Sequence, residues 1–172
     1  YQAGLYGSKR FDQHYHINGS LSGAYLDFDT TRPVVTGTAK ADFKGYGVFA
    51  HTELAYDIQD KGARAVYSPY IGIEGSLIHH DDYLESGAGV LNMSVDDETT
   101  SQLTSEIGLK VKGEFEAKGY TISPEMKLGW AHKFLDQSAD MRSNFSSAPT
   151  AVFDADGPEL NRDSARIGFD LS

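Results

Sequence analysis

Residues 121–134 read TISPEMKLGWAHKF, and the side chains of this stretch alternate in character with a period of two. The positions from Ile122 to Phe134 taken in steps of two are apolar or aromatic, apart from one histidine. The positions between them are Thr, Ser, Glu, Lys, Gly, Ala and Lys. Successive strand residues point to opposite faces, so this pattern predicts a long β-strand with one apolar face and one polar face.

The same alternation recurs along the chain and predicts an all-β fold. In 102–115 one set of alternate positions carries no charge, whereas the other carries Glu106, Lys110, Lys112 and Glu114. No stretch has a convincing helical period. We therefore predict about seven antiparallel strands. The alternating stretches are 1–11, 15–28, 42–57, 64–79, 102–115, 121–134 and 163–172.

The connections between these stretches alternate in length. Those at 11–15, 57–63 and 116–120 are short, whereas those at 29–41, 80–101 and 135–162 are long. The long ones are polar and rich in Ser, Asp and Gly. In an antiparallel meander, all short links then lie at one end of the sheet and all long links at the other.

Two architectures are compatible with the alternation. A soluble β-sandwich or small barrel turns its apolar face inward, and its strands usually run about 5–6 residues. A transmembrane barrel turns its apolar face to lipid, needs strands of about 9–11 residues, and has short links at one end and long loops at the other. Alternation here persists over whole stretches such as 42–57, and the links are asymmetric, so the pattern favours an antiparallel up-and-down transmembrane barrel. This explains how a chain with a mean hydropathy of −0.41 could enter a membrane, since only half of each strand meets lipid.

Composition excludes several functions. A net charge of −10 argues against a nucleic-acid partner, which needs a basic surface. The absence of cysteine excludes disulfides and thiol chemistry. No nucleotide-binding or catalytic motif is present, so we expect no cofactor, no catalytic residues and no enzymatic activity. His79 to Asp82 read HHDD and offer metal-ligand chemistry, but a solvated loop is the preferred interpretation and no metal site is predicted.

Several motifs resemble the β-domain of autotransporters, the translocator of type V secretion. Residues 85–111, ESGAGVLNMSVDDETTSQLTSEIGLKV, resemble its central acidic turn and the strand that follows. The other matching pieces occur in the same order as in the family. They are YQAGLYGSKRF (1–11), PYIGIE (69–74), ISPEMKLGWAHKF (122–134) and PELNRDSARIGFDLS (158–172).

The resemblance implies a barrel of about twelve strands with a helix in its pore and a secreted passenger upstream. Residues 1–172 are then expected to form part of one such domain, from about the fourth strand to within the tenth. The implied location is the Gram-negative outer membrane. The implied partners are the lipid bilayer with lipopolysaccharide, the protein's own passenger, the outer-membrane assembly machinery and periplasmic chaperones.

The alternation also assigns side chains to the two faces of the barrel. Charged residues on the polar face are expected to face the lumen and to pair across strands. A solvated polar lining is the plainer interpretation of each one, whereas Glu53 and Glu125 match inward acidic positions of the family. The predicted lumen-facing residues are Glu53, Glu74, Glu106, Lys110, Lys112, Glu125, Lys127 and Arg166. The predicted lipid-facing aromatic girdle comprises Tyr15, Tyr25, Tyr46, Tyr67, Phe115, Trp130 and Phe134.

The leading functional hypothesis is a translocator barrel that exports or anchors an N-terminal passenger at the cell surface. One alternative is an independent outer-membrane porin or adhesin-like barrel whose long loops bind partners. A soluble β-sandwich is the other, and its apolar side chains would be buried between two sheets with the charges facing solvent.

Overall fold

The structure is a computed structural model that describes residues 1–35, 37–59, 64–117, 119–135, 141–155 and 161–171. The described residues are almost entirely β-structure, as predicted, with one short 3₁₀ turn at Gly89–Leu91. Among them, no helix is both long and apolar enough to cross a membrane. The strands in chain order are β1 (Gln2–Arg10), β2 (Tyr15–Val34), β3 (Gly37–Tyr56), β4 (Ala65–His80), β5 (Tyr83–Leu84), β6 (Met93–Val95), β7 (Glu98–Gly113), β8 (Phe115–Ala117), β9 (Tyr120–Ile122), β10 (Pro124–Lys133), β11 (Met141–Phe145), β12 (Val152–Ala155) and β13 (Asp163–Leu171).

Seven long strands form one antiparallel sheet in the order β1-β2-β3-β4-β7-β10-β13. Each long strand pairs with the next long strand along the chain, so the sheet is an up-and-down meander that curves into a half-barrel. A four-stranded sheet, β12-β11-β6-β5, and a two-stranded ribbon, β8-β9, are built from the connections. The predicted antiparallel fold class is therefore confirmed.

The apolar face of the main sheet is open and the charged face is covered. On β7, Glu106 is only 8% exposed, whereas its neighbour Ile107 is 56% exposed. We call the face of Glu53 and Glu106 the inner face and that of Ile107 and Trp130 the outer face. A soluble sandwich requires the opposite arrangement, so that alternative is wrong.

The predicted loop at 29–41 is not a loop. Strands β2 and β3 continue through it as one paired hairpin, from Asp29 opposite Asp42 to Val34 opposite Gly37. The prediction was wrong because the polarity of the two faces inverts beyond the tyrosine pair Tyr25 and Tyr46. Past that level the outer positions include charged residues such as Asp27 and Lys44, and the inner positions apart from Arg32 are apolar or small, so the hairpin lacks the lipid-facing pattern that marked the other strands.

The long connections contain strands that are too short to give a periodic signal. Residues 80–101 carry β5, the 3₁₀ turn and β6, and the connection after β10 carries β11 and β12. Strand β6 pairs with both β5 and β11, which joins the two connections into one sheet. Residues 136–140 and 156–160 of the predicted 135–162 loop lie outside the described residues.

The short links lie together at the opposite end of the sheet. The β1–β2 turn is closed by Asp12, whose carboxylate accepts the backbone N–H groups of His14 and Tyr15, both at 2.7 Å. Residues 60–63 of the second link lie outside the described residues. At the third link, the predicted strands 102–115 and 121–134 are interrupted, so that Phe115 and Ile122 pair in the separate ribbon β8-β9.

Candidate functional site

The inner face carries an ion-pair network that spans most of the main sheet. Its members come from five neighbouring strands, β3, β4, β7, β10 and β13, and Asn18 extends it to β2. Because these side chains meet on one face, the network connects strands that are not adjacent in the sheet, such as β3 and β7. We call it the inner network, and its residues are Glu53, Tyr70, Glu74, Glu106, Lys110, Lys127 and Arg166.

Glu53 is one of two carboxylate centres of the inner network. It is 4% exposed, and its Oε1 lies 2.5 Å from Lys110 Nζ. The same oxygen accepts a hydrogen bond of 3.2 Å from Asn18 Nδ2, and Oε2 lies 3.7 Å from Lys127 Nζ. A carboxylate this deeply buried is stable only when cations and donors surround it, and here three groups do so.

Glu106 is the second centre. Its Oε1 lies 3.0 Å from Lys127 Nζ and accepts a hydrogen bond from the Tyr70 hydroxyl. Its Oε2 lies 2.8 Å from a guanidinium nitrogen of Arg166, which is also 3.5 Å from Glu74. Lys127 therefore bridges both carboxylate centres.

The lysines of the network form a pair that would be unfavourable alone. Lys127 stands directly opposite Lys110 in the β10–β7 register, and like charges at opposed positions destabilise a sheet. The two buried carboxylates offset this repulsion. The Tyr70 ring adds to the effect, because its centroid lies 4.5 Å from Lys127 Nζ and 5.1 Å from Lys110 Nζ.

Tyr70 reaches this position because two glycines leave space for it. Gly108 and Gly129 stand opposite each other on β7 and β10. A Cβ atom on either residue would lie 2.5 Å from Tyr70 Oη. Sequence analysis did not select Tyr70, although two inner-face glycines near an inner-face tyrosine are a signal that could have found it.

The predicted charged residues divide into two groups. Six of the eight lie in the inner network, whereas Lys112 and Glu125 lie opposite each other nearer the short links. These two border a cavity of about 470 Å³ that also contains Asp57. Asp57 lies 3.0 Å from Arg10 Nη2 and accepts a hydrogen bond of 2.7 Å from Ser68 Oγ. The sequence pattern grouped Glu125 with Glu53. In the structure Glu53 belongs to the inner network, whereas Glu125 borders the cavity.

The predicted girdle residues all lie on exposed positions. Tyr25 stands opposite Tyr46 on the neighbouring strand, and Tyr15 stands opposite Tyr56. His132 lies between Trp130 and Phe134, with ring centroids 5.8 Å and 5.0 Å away. The exposed fractions of Tyr15, Tyr25, Tyr46, Tyr67, Phe115, Trp130 and Phe134 run from 44% to 53%. Their final orientation toward lipid stays a prediction.

A second charged site, at the end of the long connections, was missed by sequence analysis. Arg32 donates hydrogen bonds to both carboxylate oxygens of Glu85, at 3.0 and 2.5 Å, and a third to the Leu91 carbonyl at 2.9 Å. Glu85 also accepts the Met93 N–H at 2.8 Å. These donors, above all the guanidinium, hold the pKa of Glu85 below its ordinary value although burial acts in the opposite direction. Glu85 opens the ESGA motif, so this motif has a structural role.

The histidines of the HHDD stretch do not converge. The Nδ1 of His79 lies 2.8 Å from Thr99 Oγ1, and its ring packs against Tyr46. His80 faces the other side, with Phe43 and Tyr83. Within the described ranges, no group of three or more acidic, histidine or cysteine side chains could hold a metal ion.

An antiparallel meander with long strands, an exposed apolar face and buried ion pairs on the other face defines the transmembrane β-barrel class. The family model for the autotransporter beta-domain matches residues 1–172. The chain belongs to this family, whose β-domains are β-barrels of the Gram-negative outer membrane and act as translocators.

Two relatives are similar to the chain over most of its length. The first is the uncharacterised protein YaiT of Salmonella typhimurium strain LT2, 24% identical over 81% of this chain and 14% of the relative. The second is an extracellular serine protease of Serratia marcescens, 26% identical over 100% of this chain and 17% of the relative. The chain therefore spans less than a fifth of the length of either relative.

Proposed function

We propose that this chain is part of a translocator barrel that exports an N-terminal passenger or anchors it at the cell surface. The observation that carries the proposal is the inverted polarity of the sheet, with buried ion pairs on the inner face and aliphatic side chains exposed on the outer face. A polar bore can accommodate a hydrated polypeptide. The family and the much longer relatives support a passenger upstream.

Residues 1–172 are proposed to belong to a single barrel domain. The inner network, Lys112 and Glu125 are proposed to line its lumen, and the girdle aromatics to lie at the two membrane interfaces. Folding in the outer membrane would involve periplasmic chaperones and the assembly machinery, and the outer surface would contact lipopolysaccharide. No catalytic step is assigned to this domain.

The test uses the full-length protein in Gram-negative cells. Intact cells are treated with an external protease, and release of the upstream segment reports its exposure at the surface. We expect release from wild-type cells and none from Ile107→Lys, which places a charge on the outer face of β7. Retention of the upstream segment inside wild-type cells, with an intact barrel, would contradict the proposal.

An adhesin-like role is a second candidate. It is favoured by the four-stranded sheet of the long connections, where Val152 and Phe153 are exposed on the edge strand β12. Replacing both residues with serine would abolish binding of cells to a host surface while leaving passenger display intact. Equal loss of display would count against this candidate.

A further inference from the structure

The β2–β3 hairpin continues beyond the membrane-spanning part of the sheet with its polarity reversed. Past Tyr25 and Tyr46, the inner positions include Phe28, Phe43 and the fully buried Ala39. In this part of the molecule the inner face is covered by protein. The cover is supplied by residues 81–97, which follow β4 and precede β7.

This segment is held to the hairpin along one edge and across one face. At the edge, Ser86 and Lys40 exchange backbone hydrogen bonds of 2.8 and 2.9 Å. On the face, the Tyr83 ring stacks on Phe43 with centroids 4.2 Å apart and an angle of 8°. Small inner residues such as Ala39 allow the segment to approach closely.

Two glycines bring the backbone of this segment close to the backbone of the hairpin. Gly87 has a φ of +92°, and a Cβ atom there would lie 2.6 Å from the Thr38 carbonyl oxygen. A Cβ atom at Gly37 would lie 2.8 Å from the Gly87 carbonyl oxygen. The tip of the hairpin and the ESGA motif are therefore fitted to each other.

One ion pair connects the hairpin to the interior of the segment. Arg32 crosses the inner face to Glu85, which is 7% exposed, and the same guanidinium reaches the Leu91 carbonyl. Glu85 in turn accepts the Met93 N–H. The pair thus fixes both the 3₁₀ turn and the start of β6, and β6 carries β11 of the other long connection with it.

We propose that residues 81–97 form a lid on the inner side of the barrel's loop end, and that the Arg32–Glu85 pair is its latch. The chain connects the lid to the membrane-spanning sheet at the ends of β4 and β7, and its other contacts are with the β2–β3 hairpin and with β11. The lid can therefore move as a unit once its contacts with the hairpin open. Breaking the latch frees the lid, whereas the inner network keeps the strands of the sheet together. The proposal rests on the barrel fold and on no property of a passenger.

Hydrogen exchange of the full-length protein in detergent, followed by mass spectrometry, tests the latch. The reporters are the amides of Glu85 and Ser86, which donate to Met93 and Lys40 in the closed lid. We expect Arg32→Gln and Glu85→Gln each to accelerate exchange of these amides by on the order of a hundredfold. The first leaves the buried Glu85 carboxylate without its cation, and the second removes the charge that holds the Arg32 guanidinium in place. Exchange in β7 over 104–110 should stay unchanged.

Arg10→Gln is the matched control, because it removes an exposed arginine from the ion pair with Asp57 at the other end of the sheet. Unchanged exchange in both latch variants, an equal increase in the control, or an equal increase in β7 would overturn the proposal.

A second arm covers latch variants that do not assemble. Cysteines at Lys40 and Ser86, which form an antiparallel bridge, would lock the lid by a disulfide. Adding this lock to Arg32→Gln should restore assembly and slow exchange, and reduction should reverse the effect. Failure of the lock to restore assembly would also overturn the latch.

Discussion

Glycine at position 129 is required by the tyrosine that lies across it. A Cβ atom there would be 2.5 Å from Tyr70 Oη and 2.7 Å from Glu106 Oε1. Gly129→Ala must therefore displace the ring or break its hydrogen bond, and overpacking of this kind costs about 1–3 kcal/mol. We expect a lower unfolding temperature of the full-length protein in detergent, measured by heat-dependent gel mobility.

Gly168→Ala is the matched control for that prediction. It also lies on the inner face, but a Cβ atom there would sit at an ordinary 3.6 Å from Lys127 Cβ. Equal destabilisation by the two alanines would show that general loss of glycine, rather than the clash with Tyr70, is responsible.

Glu53 forms ion pairs with two lysines and accepts a hydrogen bond from Asn18. Its charge is therefore expected to contribute more to the free energy of unfolding than the charge of any exposed inner residue. Glu53→Gln leaves Lys110 without its nearest carboxylate and beside Lys127. Loss of one partner from a buried ion pair costs about 3–5 kcal/mol. The free energy of unfolding in urea should fall accordingly, whereas Lys112→Gln, at an exposed position, should change it by less than about 1 kcal/mol. A similar value for both variants would contradict the importance of the network.

The pKa of Glu85 makes the lid sensitive to acid. Arg32 holds the pKa of the folded-state carboxyl below its ordinary value, so the pair's contribution to stability is complete above the ordinary glutamate pKa. It is lost as the pH falls through the lowered value. Within the pair only the Glu85 carboxyl titrates at acid pH, because the Arg32 guanidinium stays charged. Exchange of the Ser86 amide, corrected for its intrinsic pH dependence, should therefore accelerate below the lowered pKa in wild type and show no such step in Glu85→Gln.

Strand β7 shows most clearly how one element separates two environments. Its outer residue Ile107 is exposed and its inner neighbour Glu106 is buried. Ile107→Lys should block membrane insertion, because lysine on the lipid face near the midplane costs about 2–4 kcal/mol. Insertion is measured by resistance of the barrel to extraction with alkaline carbonate. Lys112→Gln on the opposite face should insert normally, and equal failure of both variants would show the face assignment to be wrong.

The β2–β3 hairpin shows why an element can be predicted at one end and missed at the other. Up to Tyr25 the alternation is apolar outside and polar inside, as a lipid-facing strand requires. Beyond it, Asp27 and Lys44 stand opposite each other on the outer face and the inner face packs against the lid. The backbone period is unchanged, but the surroundings of each face have changed. A prediction that requires one constantly apolar face therefore ends the strand too early.

At the level of the whole sheet, the described residues leave both edge strands with one neighbour each. Strand β1 pairs only with β2, and β13 only with β10. With seven antiparallel strands the two edges run in the same direction, so an antiparallel barrel cannot close between them. Unpaired edges of this length favour association.

A polypeptide limited to residues 1–172 should therefore associate when refolded in detergent. Size-exclusion chromatography with light scattering is expected to show dimers or larger species, formed through β1 and β13. The full-length protein under the same conditions supplies the comparison. A monodisperse monomer of residues 1–172 would indicate that the edges are protected in some other way.

The amino-acid sequence was sufficient for the strands, their two faces and the charged residues of the inner face. Each of these depends on the identity of positions i and i+2, which the backbone period places on one side of the sheet. It was not sufficient for the partners of those charges. Lys127 and Lys110 stand opposite each other, yet Lys110 pairs with Glu53 two strands away and Lys127 pairs with both Glu106 and Glu53. These contacts depend on the register and curvature of the sheet. The fit of Tyr70 over two glycines and the Arg32–Glu85 latch arise in the same way, because they join residues 36 to 59 positions apart that only folding brings together.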